Sequence, residues 1–194
     1  PAVNEERPDY RAFIISGQDS VVRRWLRCGA DGWRLDVADE LPDDFIAAIR
    51  AAIQEEKPEG YLLGEVWEDG SNKIAYSHRR RYLLGRETHG LMNYPFRTAL
   101  LAWLDGGDAA DFRHAMECIR ENYPPAAFYG AMNFLGTHDT ARILTLLGAE
   151  QVPEQKTERA AYRLSPQELD RGRRRLRLAG MLLYCFPGSP TLYY

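Results

Sequence analysis

Residues 32–65 read GWRLDVADELPDDFIAAIRAAIQEEKPEGYLLGE. The stretch opens with a short, glycine-flanked, partly alternating apolar run, Gly32-Trp-Arg-Leu-Asp-Val37, and closes with a second, Tyr61-Leu-Leu-Gly-Glu65, both predicted strands. Between them Pro42 opens a predicted helix with Phe45, Ile46, Ile49 and Ile53 on one face. Two strands joined by a helix long enough to cross over pair in parallel, so the stretch is a βαβ unit and the chain an α/β protein.

The pattern extends in both directions. Upstream, Asp19 or Ser20 can cap a helix through Val21, Val22, Trp25 and Leu26, with Gly29 where it should stop. Downstream, Gly90-Leu-Met-Asn-Tyr94 and Met132-Asn-Phe-Leu-Gly136 read as strands, and 97–104, 109–122 and a segment through Arg142, Ile143 and Leu146 as helices. The polar segment from Gly148 to Ser165 reads as a long loop, Pro166 begins an Arg- and Leu-rich helix, and Met181 to Phe186 reads as a final buried strand. That makes five strands and one leading helix, compatible with a doubly wound sheet or a (β/α) barrel. No Gly-x-Gly-x-x-Gly follows any of these strands, which removes the main sign of a dinucleotide-binding sheet.

At 194 residues, 45% hydrophobic and 27% charged, the chain is ordinary for a globular protein. A net charge of −3 gives no basic field for phosphate backbones, so nucleic acid is excluded as a partner and a small neutral substrate fits better. Cys28, Cys118 and Cys185 are odd in number and widely spread, which argues against disulfides and zinc clusters alike. The start lacks the features of a signal peptide, and no run reaches the roughly 18 apolar residues of a membrane span, so the expectation is a cytoplasmic enzyme with no membrane partner.

Polar residues gather at the carboxyl ends of the predicted strands: Arg34 and Asp36, then Glu65, then His138 and Asp139. In a barrel those ends share one face, where active sites are built. Arg34 points to the same side as Asp36 and can hold it ionised as a nucleophile; the plain alternative for Asp36 is a helix cap or solvated loop charge. Glu65 ends an apolar run and precedes Val66-Trp67, surroundings that suit a protonated general acid, against a surface Glu in a turn. Asp139 can equally be a helix N-cap, with His138 incidental.

Three segments taken together, Gly32-Trp-Arg-Leu-Asp-Val-Ala-Asp-Glu40, Leu63-Gly-Glu-Val-Trp67 and Asn133-Phe-Leu-Gly-Thr-His-Asp139, resemble in order and spacing three signature regions of the α-amylase family (glycoside hydrolase family 13). The resemblance implies a (β/α)8 TIM barrel, here partial and covering roughly the fourth to eighth strands, as a single catalytic domain over residues 1–194. It implies Asp36 as nucleophile, Glu65 as general acid/base and Asp139 as the third carboxylate, which binds substrate hydroxyls and helps distort the sugar. Arg34 then orients the nucleophile and His138 contacts the sugar at the cleaved bond. The reaction implied is retaining hydrolysis of α-1,4-glucosidic bonds, with α-1,6 bonds as a second option, through carboxyl groups roughly 5–5.5 Å apart and without a cofactor.

Within the family, 85–96 and Asp139-Thr-Ala-Arg-Ile-Leu144 look most like the neopullulanase, cyclomaltodextrinase and maltogenic amylase group, whose members act on short α-glucans, cyclodextrins and pullulan. Asp39, Glu40 and Glu68 would line the cleft; Asp at 39 departs from the commoner Ala-Asn-Glu form. Trp67 is the aromatic to stack on a sugar, ahead of Tyr94, Phe96 and Trp103, the last being at helical spacing. Relative to a complete barrel of about 250 residues, the chain is expected to start at the helix before the fourth strand and to end at Leu192-Tyr-Tyr194 with the eighth. The third-strand signature, which supplies an Asp, a His and often a calcium ligand, would be absent, leaving calcium to the full-length parent. Open strand edges then favour a homo-oligomer, weak or inactive in isolation. Two alternatives are a non-catalytic carbohydrate-binding relative and a metal-dependent hydrolase using Asp36, Asp39, Glu65, His138 and Asp139 as ligands.

Overall fold

The structure is a computed structural model and describes residues 3–193; Tyr194, at the close of the last expected strand, lies outside the described residues. The chain divides into two compact units, Pro1–Met92 with Ile119–Ala131, and Asn93–Cys118 with Met132–Tyr194.

The first unit begins with α1 (Pro8–Arg11), which runs into a π-helical turn at Ala12–Ser16, and α2 (Val21–Arg27). Ser20 stands at the expected start of α2, but its buried hydroxyl donates to the Ile15 carbonyl (2.8 Å) instead of capping the helix. Gly29 ends α2 as expected. At φ +105° it supports a pair of closing bonds, Gly29 N–H to the Leu26 carbonyl and Ala30 N–H to that of Trp25.

The βαβ unit follows as β1 (Gly32–Leu35), α3 (Asp43–Glu56) and β2 (Tyr61–Gly64). On α3 the residues Phe45, Ile46, Ile49 and Ile53 are buried, as their spacing requires. A hairpin of β3 (Ile74–Ala75) and β4 (His78–Arg79) comes next, and then β5 (Gly90–Leu91). The sheet is parallel in the order β1-β2-β5, with Leu35 opposite Gly64 and Gly64 opposite Leu91. The strand expected through Val37 stops two residues early because Val37 turns left-handed. The one expected through Tyr94 stops at Leu91.

In the second unit Asn93 explains that early stop, since its side chain accepts the Phe96 N–H (3.1 Å) and caps α4 (Tyr94–Leu104), with Pro95 in the first turn. Next come α5 (Ala109–Asn122), whose last residues belong to the first unit, and α6 (Pro125–Gly130), also in the first unit. The second unit then holds β6 (Met132–Phe134), α7 (Ile143–Gly148), α8 (Lys156–Ala161), α9 (Pro166–Cys185) and β7 (Ser189–Thr191). Strands β6 and β7 pair in parallel, Met132 opposite Ser189.

Two expectations are corrected here. The segment 148–165 is not all loop, since it contains α8. The run Met181 to Phe186 is not a buried strand: it is the end of α9, whose Met181 is 66% exposed, and the strand lies beyond it. A core of Phe96, Leu100, Met116, Leu135, Ile143, Leu147, Ala179 and Leu183 holds this unit. Helices α7 and α9 meet at Gly148, where a Cβ would stand 2.6 Å from the Glu168 carbonyl oxygen, so only glycine permits the approach.

Candidate active site

The β1–β2 register sets the geometry. With Leu35 opposite Gly64, the next residues on the two neighbouring strands are Asp36 and Glu65. Arg34 reaches both: its Nη1 donates to Asp36 Oδ1, and its Nη2 lies 2.9 Å from Glu65 Oε1. One planar guanidinium thus bridges two carboxylates, which a fork of fixed donors allows and a point charge does not. The two partners differ in exposure, Asp36 being 71% exposed at its side chain and Glu65 3%.

Val37 adopts φ 43°, ψ 62°, a conformation rare for a β-branched residue. The turn aims its N–H at Glu65 Oε2 (2.8 Å) and the Ala38 N–H at the Glu65 carbonyl oxygen (3.0 Å). Trp67 Nε1–H donates to Glu65 Oε1 (3.3 Å) while the indole stays half-exposed. The apolar setting expected for Glu65 is therefore corrected. Its side chain is buried, but N–H groups of Arg34, Val37 and Trp67 meet its carboxylate.

Asp39 and Glu40 lie on the 3₁₀ turn Ala38–Glu40. Asp39 accepts from the Tyr82 hydroxyl (2.6 Å) and pairs with Lys73 (3.2 Å), and Lys73 also pairs with Glu68. Glu40 accepts from the Tyr76 hydroxyl. Arg80, 6% exposed, donates to the carbonyls of Ala38, Asp39 and Leu41 and pairs with Asp43 at 2.8 Å. Burial, and then the bond to Asp39, push the Tyr82 phenol well above its ordinary range. Sequence reasoning missed Lys73, Tyr76, Arg80 and Tyr82. The run Arg79-Arg80-Arg81 beside tyrosines was a signal, but nothing local said which arginine turns inward.

His138 and Asp139 belong to the second unit. His138 Nε2 lies 3.2 Å from Asp139 Oδ2, and the Asp139 N–H donates to the Thr137 hydroxyl (3.2 Å). Asp139 is not the cap of α7, whose N-cap is Arg142, so the capping alternative fails. Tyr94 packs edge-on to Phe134 (4.8 Å), Phe96 stacks on Phe186 (4.9 Å) and Trp103 on Phe112 (5.3 Å), so all three are packing residues. Among the described residues no group of three or more His, Cys, Asp or Glu side chains is disposed to hold a metal ion, and no helix is long and apolar enough to cross a membrane.

Parallel strands crossed by helices, with an arginine-bridged carboxyl pair just beyond adjacent carboxyl ends, make this an α/β protein whose charged groups gather at the strand ends, where barrel enzymes build their chemistry. The sequence matches the family described as alpha amylase, catalytic domain, over residues 1–194, and the chain belongs to that family. Its fold is a partial (β/α)8 TIM barrel.

The chain is 36% identical over 200 residues to an amylopullulanase of Thermoanaerobacter thermohydrosulfuricus, covering 94% of this chain and 12% of that protein. It is 30% identical over 197 residues to a cyclomaltodextrinase of a Bacillus species, covering 100% and 29%. Among solved structures, the cyclic alpha-maltosyl-(1→6)-maltose hydrolase of Arthrobacter globiformis in complex with maltose is similar at TM-score 0.76 and 26% identity, over 100% of this chain and 37% of that one. The chain thus spans well under half the length of the relatives it matches.

Proposed function

We propose that the protein carrying this chain is a retaining glycoside hydrolase of α-1,4-glucosidic, and also α-1,6, bonds in short α-glucans, with residues 1–194 forming part of one catalytic barrel domain. The observation that carries the reading is the Arg34 bridge between Asp36 and Glu65 on neighbouring parallel strands. The names of the similar proteins, amylopullulanase and cyclomaltodextrinase, point to the same substrate class.

Asp36, the exposed carboxylate, attacks the anomeric carbon while Glu65 gives a proton to the departing glycosidic oxygen. The bond to the leaving sugar breaks as an ester to Asp36 forms. Water, losing a proton to Glu65, then displaces Asp36 and restores both groups. Arg34 serves both halves: it orients Asp36 before attack, and it faces Glu65 once Asp36 is esterified. Asp139 is the third carboxylate, binding sugar hydroxyls, His138 contacts the sugar at the cleaved bond, and Trp67 and Glu40 line the cleft. Neither step calls on a cofactor.

The test is release of reducing ends from maltohexaose by the protein carrying this chain, beside its Glu65→Gln variant. Hydrolysis should fall by at least about a thousandfold in the variant with maltohexaose still bound. A protein that binds maltohexaose and hydrolyses no α-glucan would instead be a carbohydrate-binding relative.

A further inference from the structure

The β3–β4 hairpin closes through two residues, Tyr76 and Ser77, with Ala75 opposite His78. Both have left-handed backbones, φ 52° and 63°, the conformation of a tight hairpin turn that Asn and Gly adopt readily and Tyr does not. A bulky residue held there carries a backbone cost, and such costs gather at ligand-contacting positions. The Tyr76 ring is 69% exposed, so core packing does not repay that cost. Its hydroxyl donates to Glu40, which fixes the ring's direction.

The ring borders a cleft of about 630 Å³ whose lining includes Asp39, Glu40, His78 and Arg79. Side-chain acceptors and donors beside an open aromatic face match a sugar, which offers hydroxyls around its edge and C–H groups on its faces. The cleft is also tied to the segment that carries Glu65. Lys73 pairs with Asp39 on one side and Glu68 on the other, three residues beyond Glu65.

We propose that Tyr76 is a stacking platform for a glucose unit of an α-glucan chain away from the cleaved bond, with Glu40 and His78 taking its hydroxyls. This rests on the proposed function for the class of ligand, but not on hydrolysis. The platform favours oligosaccharides long enough to occupy the reacting position and Tyr76 together.

The experiment labels the protein carrying this chain with 3-fluorotyrosine and follows fluorine resonances during titration with maltohexaose in a Glu65→Gln background, which stops turnover. The resonance lost in Tyr76→Phe identifies Tyr76 and should shift saturably. Calorimetry should give about a tenfold weaker Kd for Tyr76→Ala, while Tyr76→Phe, which keeps the ring, should stay within about twofold. A Tyr76 resonance that does not move at saturation overturns the proposal. So does a Phe variant as weak as the Ala variant, because the hydroxyl tether to Glu40 would then account for the effect. Saturable shifts in a protein whose Glu65 form hydrolyses nothing would sink the hydrolase reading and leave the platform standing.

Discussion

Glu87 shows how much a single buried carboxyl can set. It is 2% exposed, and burial followed by the nearby Asp43 charge pushes its pKa up to about 7, with Arg80 and Arg81 opposing. Its unfolded value is near 4.5, so the native protein binds the extra proton between the two. The stabilising contribution is complete below about 4.5 and is lost as pH rises through about 7. Glu87→Gln should therefore flatten the pH dependence of the urea midpoint over that window and raise the midpoint at pH 8. A variant with the same slope as the parent would contradict this.

At this scale the placement of the candidate site residues was unevenly legible in the sequence. Arg34, Asp36 and Glu65 were legible because strand periodicity puts Arg34 and Asp36 on one side and the motif order supplies the partner. Arg80 was not, because it meets carbonyls about 40 positions earlier in the chain, and neither was the left-handed Val37, whose backbone N–H reaches Glu65 and draws on no side-chain chemistry of its own.

Among the elements, α9 owes its start to a reciprocal cap. The Ser165 hydroxyl accepts the Glu168 N–H and the Glu168 carboxylate accepts the Ser165 N–H (2.8 Å), with Pro166 in the first turn. Glu168 also accepts from the Tyr162 hydroxyl (2.6 Å) and the Glu150 N–H (3.0 Å), and these bonds, Tyr162 foremost, lower its pKa to about 2. A depressed folded pKa means a contribution present above the unfolded value near 4.5 and lost as pH falls through about 2. Ser165→Ala should lower stability by about 1 kcal/mol at neutral pH. Glu168→Gln should remove part of the acid-side decline, both read from thermal melts.

The same helix explains the misplaced last strand. The run Met-Leu-Leu-Tyr-Cys-Phe is apolar throughout, and periodicity alone does not separate a strand from the end of a long helix in such a run. The cap at Ser165 and the absence of a proline between Pro166 and Pro187 decide for helix, which runs through Gly172 and Gly180. The short α8 was hidden for the opposite reason, being polar and without an apolar stripe to betray it.

For the molecule as a whole, alternation of strands and helices was enough to give an α/β fold with parallel pairing, and the three motifs narrowed it to the α-amylase barrel. The division into two compact units was not legible, because apolar spacing marks which faces are buried and not which buried faces share a core. Cysteine arithmetic gives a further expectation. All three thiols are free, Cys28 and Cys185 exposed and Cys118 half-buried beside His114. Reductant should leave the melting temperature unchanged, and a thiol reagent should titrate two groups of this chain quickly and the third more slowly. A rise or fall of several degrees with reductant would mean a disulfide forms.

The Arg80 guanidinium, spread over three carbonyls of a turn 40 residues earlier, makes two separate stretches of chain a single heritable part. Anyone recombining loops among related barrels to change substrate preference would have to move 37–43 and 73–82 together. A chimaera taking either stretch alone from a barrel without this arginine would leave buried carbonyls without their donor, or the cation without its acceptors, and the cleft would lose its support before any question of specificity arose.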